Sequence, residues 1–155
     1  LILYFLYESR SYFLDNAHRK WIEVQLWARD HSRPDERFVT PIWINGFRIY
    51  SQRMPIVELQ DGTQQYFDLK FGEKYRKAIN EMGLDQSRLF GKTQQLVNNN
   101  LPKSILLNLK REYNANFYII SKKVRADSPN QLVSYEFPVV FENSDFKVLD
   151  IRQLN

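Results

Sequence analysis

Asn45-Gly46 is the strongest local constraint in this sequence. A two-residue type I′ hairpin turn needs positive φ at both central positions, and this dipeptide tolerates it. Pairing outward from the turn sets Ile44 opposite Phe47, Trp43 opposite Arg48 and Ile42 opposite Ile49. Ile42, Ile44, Phe47 and Ile49 then share one face. A slip of one residue would turn that set into water, so the expected hairpin has a firmly specified register. Asp61-Gly62 repeats the signal, with arms from Met54 to Gln60 and from Thr63 to Phe71. Upstream, Ile22, Val24, Leu26 and Ala28 alternate with Trp21, Glu23, Gln25, Trp27 and Arg29, which reads as a half-buried strand. The His31–Glu36 stretch, polar and carrying Pro34, ends it.

After Gly72 the period lengthens. Glu73 to Met82 reads as a helix stopped by Gly83. A second helix is expected from Gln86 to about Val97, capped by Asp85 and weakened at Gly91. The Asn98-Asn99-Asn100 run reads as a loop. A third helix starts at Asn100 or Leu101 with Pro102 in its first turn, and places Ile105, Leu106, Leu109 and Tyr113 on one face. Strands return over Asn116–Arg125, Leu132–Glu142 and Phe146–Leu154, with turns at 128–130 and 143–145. Pro138 argues for an edge position or a bulge in the middle strand. The apolar alternation of the last strand changes phase between Val148 and Leu149, which marks a second place for a bulge.

These periods imply one α+β domain: a curved, mainly antiparallel sheet of N-terminal strands and hairpins with a C-terminal three-strand meander, packed on central helices. Its 155 residues leave room for a single domain at about 150 residues each. A composition of 43% hydrophobic and 26% charged residues is that of a folded chain, not a disordered one. With no cysteine, disulfides, thiolate catalysis and Cys-ligated metals are excluded.

The first residue is leucine, so the expectation is a fragment or a processed product. Leu1 to Tyr7 is uninterrupted apolar and aromatic, too short to span a bilayer, which takes about 20 helical residues. Two readings follow: residues 1–17 are the end of a membrane anchor, or they are a helix of the core, with 18–155 forming the domain. The first reading predicts a membrane-associated chain with an exposed soluble domain.

Catalytic signatures are few. No phosphate-binding loop, nucleophile elbow or dinucleotide fingerprint occurs. His18 and His31 lack a second histidine at metal-ligand spacing, so no cofactor and no metal are expected. Glu58, Asp61 and Asp68-Leu69-Lys70 superficially follow the acid and acid-x-Lys spacing of metal-dependent nucleases, with Asp68 and Lys70 on one strand face. The competing reading assigns Asp61 to its turn and Asp68 to a solvated strand.

Charge is uneven along the chain. Residues 76–125 carry 10 basic and 3 acidic side chains, whereas 126–155 carry 2 and 5. Lys103, Lys110, Arg111, Lys122, Lys123 and Arg125 form a candidate basic patch for nucleic acid or another phosphate-rich partner. Against it stands an ordinary solvated helix face. Trp21, Trp27 and Trp43 fall on the less apolar sides of their strands, with Arg48 opposite Trp43 in cation–π register. Exposed, these four residues would anchor a protein partner or a second copy of the chain; covered, they belong to the core. The leading expectation is therefore a non-catalytic binding or assembly domain, with a nucleic-acid-binding domain second and a metal-dependent nuclease-like enzyme third.

Overall fold

The computed structural model describes residues 16–85, 87, 91–124 and 136–154. The Leu1–Tyr7 run and Arg125 lie outside the described residues. The chain folds as one α+β domain around a five-stranded, mostly antiparallel open sheet. In chain order the elements are α1 (Asn16–His31), β1 (Arg37–Val39), α2 (Phe47–Ser51), β2 (Met54–Pro55), a 3-10 helix (Leu59–Tyr66), α3 (Leu69–Glu81), α4 (Lys92–Asn99), α5 (Lys103–Tyr113), β3 (Ala115–Ser121), β4 (Val139–Glu142) and β5 (Phe146–Asp150).

The expected strand over 21–29 is the heart of α1 instead. Its buried positions are Trp21, Val24, Gln25 and Ala28, the i, i+3, i+4, i+7 spacing of a helix face. Gln25 is what hides this stripe. Its side chain accepts a hydrogen bond from the Tyr50 amide at 3.2 Å, so a polar residue occupies a core-facing position. The C-terminus of α1 is closed by Arg53, which is buried and donates to the carbonyls of Arg29 at 2.7 Å and Ser32 at 2.6 Å. A guanidinium there satisfies carbonyls that have no partner within the helix.

Neither N-terminal hairpin forms. Gly46 does take positive φ, +83°, but it serves as the entry to α2, and Ile49 N–H closes back on its carbonyl. Ile49 is consequently exposed rather than on the apolar face. Asp61-Gly62 lies within the 3-10 helix. The Asp61 carboxylate accepts from the Glu58 amide while Glu58 caps the Asp61 position, the reciprocal arrangement that starts a helix. Carboxylate capping supplies local hydrogen bonds that outcompete strand pairing here.

The middle of the chain follows expectation more closely. α3 begins four residues earlier than read, because Asp68 caps it by accepting from Phe71 N–H at 3.0 Å. α4 starts at Lys92 after Gly91 and includes Asn98 and Asn99, so the expected loop begins later, at Asn100. In α5, Leu106 and Leu109 are buried, with Ile105 and Tyr113 partly so, and Pro102 stands at its N-cap.

Strand order is β2-β1-β3-β5-β4. β1 runs parallel to β2 and β3, and β5 runs antiparallel to β3 and β4. The expected meander is corrected: β5 inserts between β3 and β4. Pro138 accounts for this order, since it precedes a short strand best suited to the edge. The register shift between Val139 and Phe141 lies opposite the Val148–Leu149 step, so the phase change in β5 does face a bulge, carried by β4.

Helices cover both faces of the sheet. Trp21, Val24 and Ala28 of α1 and Phe47 of α2 pack on Phe38, Phe117, Ile119, Phe146 and Val148. On the other face, α3 and α5 bring Tyr75, Ile79, Met82, Leu106 and Leu109 onto Val39, Tyr118, Leu149 and Ile151. The arrangement positions a crevice. The β1-to-β2 connection passes through α2 on one face, while the β2-to-β3 connection passes through α3–α5 on the other. The carboxyl ends of β1 and β3 are thus a switch point, the place where open α/β sheets leave a gap for ligands.

Candidate binding crevice

A pocket of about 460 Å³ lies at this switch point, lined by α1, the β1–α2 loop, α4, the exit of β3 and the β4–β5 turn. Its volume is within the usual range for ligand sites. The apolar wall consists of Trp21, Trp43, Ile44, Val124 and Phe146. Trp21 is fixed from three sides: its ring meets Phe146 at 5.1 Å and Phe47 at 5.6 Å, and its Nε1–H donates to the Asn45 carbonyl at 3.2 Å. Trp43 is partly buried, its ring also packed on the α3–α5 core. Polar groups from His18, Asn45, Gln95, Ser121 and the Lys123–Asp145 pair complete the lining.

Buried amides hold these walls in place. Asn99 bonds both backbone groups of Ser121, accepting from its N–H at 2.7 Å and donating to its carbonyl at 3.0 Å. Asn98 accepts from Ile42 N–H at 3.0 Å, tying α4 to the segment after β1. Across the pocket Asn143 donates to the Lys20 carbonyl at 2.9 Å and accepts from the amides of Asp145 and Phe146, fastening the β4–β5 turn to α1. Lys123 Nζ sits 2.6 Å from Asp145 Oδ2, and this pairing holds the Asp145 carboxyl below its ordinary value. The Asn99, Asn143 and Lys123–Asp145 groups are occupied structurally, whereas Asn98 Nδ2 is buried without a hydrogen-bond partner among the described residues.

The structure brings together some of the residues singled out from sequence and separates others. Trp21, Trp43 and Lys123 meet in the crevice. Trp21 is buried, the covered of its two expected alternatives. Trp27 lies away from the crevice, edge-on to Phe117 at 5.7 Å and stacked on the exposed His31 at 5.5 Å. The Trp43–Arg48 cation–π pair does not form, because neither residue is on a hairpin. Arg48 makes a bidentate pair with Asp61 at 2.7 and 2.8 Å and reaches Glu58 at 3.3 Å. Asp61 is therefore a buried structural carboxylate rather than a hairpin-turn residue. Asp68 is a helix cap and Lys70 lies in α3, so the shared strand face proposed for them is absent. Among the described residues no group of three or more His, Asp or Glu side chains could hold a metal ion, and no helix is long and apolar enough to cross a membrane.

Of the described residues of the expected basic patch, most have an acidic or carbonyl partner. Lys122 pairs with Glu142 at 2.8 Å, and Arg111 lies 3.5 Å from Glu112. Lys110 donates to the carbonyls of Arg152 and Leu154, clamping the C-terminal segment onto α5. Lys103 is exposed in the first turn of α5. Sequence reasoning missed Asn98, Asn99 and Asn143, whose amides build the crevice walls. Their only signal was a polar run, which reads equally well as loop.

Residues 19–66 match a family model described as Domain of unknown function (DUF6798). The matched stretch runs from α1 to the end of the 3-10 helix. It takes in the three tryptophans and the whole Arg48–Glu58–Asp61 cluster. No curated protein and no solved structure matches the chain.

Proposed function

We propose that this chain is a non-catalytic binding domain whose crevice at the carboxyl ends of β1 and β3 receives an apolar side chain of a protein partner. The observation that carries this reading is the convergence of Trp21, Trp43, Ile44 and Phe146, from three distant parts of the sequence, on one open pocket of about 460 Å³. An aromatic wall with a few polar groups at its rim is the usual composition of a binding site, and tryptophan is a favoured interface anchor. The occupied state of the Lys123–Asp145 pair supports orientation of a ligand rather than proton transfer.

Panning a displayed peptide library against the chain tests this reading. Gln95 lines the pocket from α4 and is only partly buried, so Gln95→Trp should fill the site without unfolding the domain. Peptides selected on the wild type should lose binding to Gln95→Trp by on the order of a hundredfold, the size expected for losing one buried hot-spot side chain. Equal binding to both proteins would place the interface elsewhere, and failure to select any peptide would defeat the proposal.

A further inference from the structure

A second pocket, of about 170 Å³, lies on the α3–α5 face of the sheet and shares no lining residue with the crevice. Much of its lining is apolar: Val57 together with Phe71, Tyr75 and Ala78, which follow the i, i+4, i+7 spacing of one face of α3. Arg37 of β1 and Lys74, on that same face of α3, also line it. Both are exposed while Val57, Tyr75 and Ala78 are buried, so the two cations stand at the mouth. A cavity of about 150 Å³ holds one benzene ring. The space therefore suits a single ring or a short aliphatic chain rather than a segment of peptide.

The polar groups around it are donors without acceptors. Among the described residues neither the Arg37 nor the Lys74 side chain has a hydrogen bond or an ion pair, and the hydroxyl of the buried Tyr75 has no hydrogen-bond partner, although such hydroxyls usually find one. The carboxylates nearby are engaged elsewhere. Asp61, which also lines the pocket, shares Arg48 with Glu58. Glu81 accepts from the Tyr113 hydroxyl at 2.6 Å and lies 3.6 Å from Lys77, while Glu112 lies between Lys77 and Arg111. Glu36, next to Arg37 in sequence, pairs with Arg152 at 3.3 Å. Glu73, next to Lys74, is exposed and off the lining face of α3. Unpartnered donors around an apolar lining complement a ligand group that only accepts, and an ionised carboxylate is such a group. We infer that this pocket binds a small monocarboxylate, its apolar body lying on Tyr75 and Ala78 and its carboxylate directed toward Arg37 and Lys74. The site is separate from the crevice and stands whether or not the crevice receives a protein side chain.

Isothermal titration of the 155-residue chain with benzoate tests it, with benzamide as the uncharged compound of the same shape. Benzoate should bind with a Kd of about 1 mM or tighter, a modest affinity for so small a ligand. Benzamide should bind at least about tenfold more weakly, since it loses the charge-assisted hydrogen bonds. Arg37→Gln with Lys74→Gln, both at exposed positions, should weaken benzoate at least about tenfold and bring it level with benzamide. Gln95→Trp, which fills the crevice, should bind benzoate as the wild type does. Absence of benzoate binding at about 10 mM overturns the inference. Equal affinity for benzamide does so too, as does undiminished binding by the double glutamine variant. Loss of benzoate binding in Gln95→Trp would likewise overturn it, because the carboxylate would then occupy the crevice.

Discussion

Replacing Arg48 by methionine should destabilise the domain far more than its partly exposed position suggests. Arg48 is the common counter-ion of two carboxylates: Asp61, at 2.7 and 2.8 Å, and Glu58, which is fully buried. Both carboxylates have structural duties, Glu58 accepting from Phe47 N–H at 2.7 Å and Asp61 from Glu58 N–H at 3.0 Å. They therefore cannot turn away when the guanidinium is removed. Breaking a buried pair costs about 3–5 kcal/mol, and partial exposure of the arginine puts the expectation at the lower end, about 3 kcal/mol. Urea unfolding followed by tryptophan fluorescence measures it, with an unchanged m-value showing that only stability has moved. If uncompensated charge is the cause, adding Glu58→Gln to Arg48→Met should restore about 1–2 kcal/mol, because the amide keeps the acceptor for Phe47 without the charge. A loss below about 1 kcal/mol in the single variant, or no recovery in the double variant, would refute the reasoning, since it would place this cluster among weakly coupled surface pairs.

Four further outcomes follow from the same geometry. Burial pushes the Glu58 carboxyl above its ordinary value of 4.5, so the folded chain keeps this proton to higher pH than the unfolded chain, and the group's contribution is lost as pH rises through the folded value; Glu58→Gln should gain on the wild type in urea midpoint as pH is raised from 4.5. Asp145 has the opposite sign: Lys123 holds its carboxyl below 3.8, so its stabilisation is present above that value and lost as pH falls through the depressed one, and Asp145→Asn should flatten the acid limb of an unfolding-versus-pH curve. Trp21→Ala should cost about 3–5 kcal/mol in the same assay, as large-to-small changes in aromatic cores do, and Trp21→Phe clearly less. Gly72→Ala, which in an ordinary helix interior would stabilise, should instead lower the melting temperature, because the new methyl meets Gln65 and overpacking costs about 1–3 kcal/mol.

The contrast between the two halves of the chain explains what could be read from sequence. In α3 and α5 the apolar residues alone trace the buried face, so periodicity found both helices. In the C-terminal strands a proline and a phase change announced the edge and the bulge, and both are where β4 meets β5. The N-terminal half failed for one physical reason, that polar side chains do structural work there. Gln25 completes the buried stripe of α1, Glu58 and Asp61 cap each other, and Arg53 closes a helix end. Read as solvent-facing residues, they leave alternating apolar positions that mimic strands. Asn45-Gly46 shows the limit of the turn signal most clearly. It correctly demands positive φ, and Gly46 adopts it, but that conformation serves a helix entry as well as a hairpin, and here the Glu58 carboxylate accepting from Phe47 N–H and Gln25 accepting from Tyr50 N–H hold the helix. The tryptophans could be singled out from sequence as unusual. Their meeting in one crevice could not, because that depends on β1 and β3 lying side by side with their connections on opposite faces of the sheet. Chemistry of this kind becomes visible only when the topology is known, since it belongs to the gap between strands rather than to any segment of the chain.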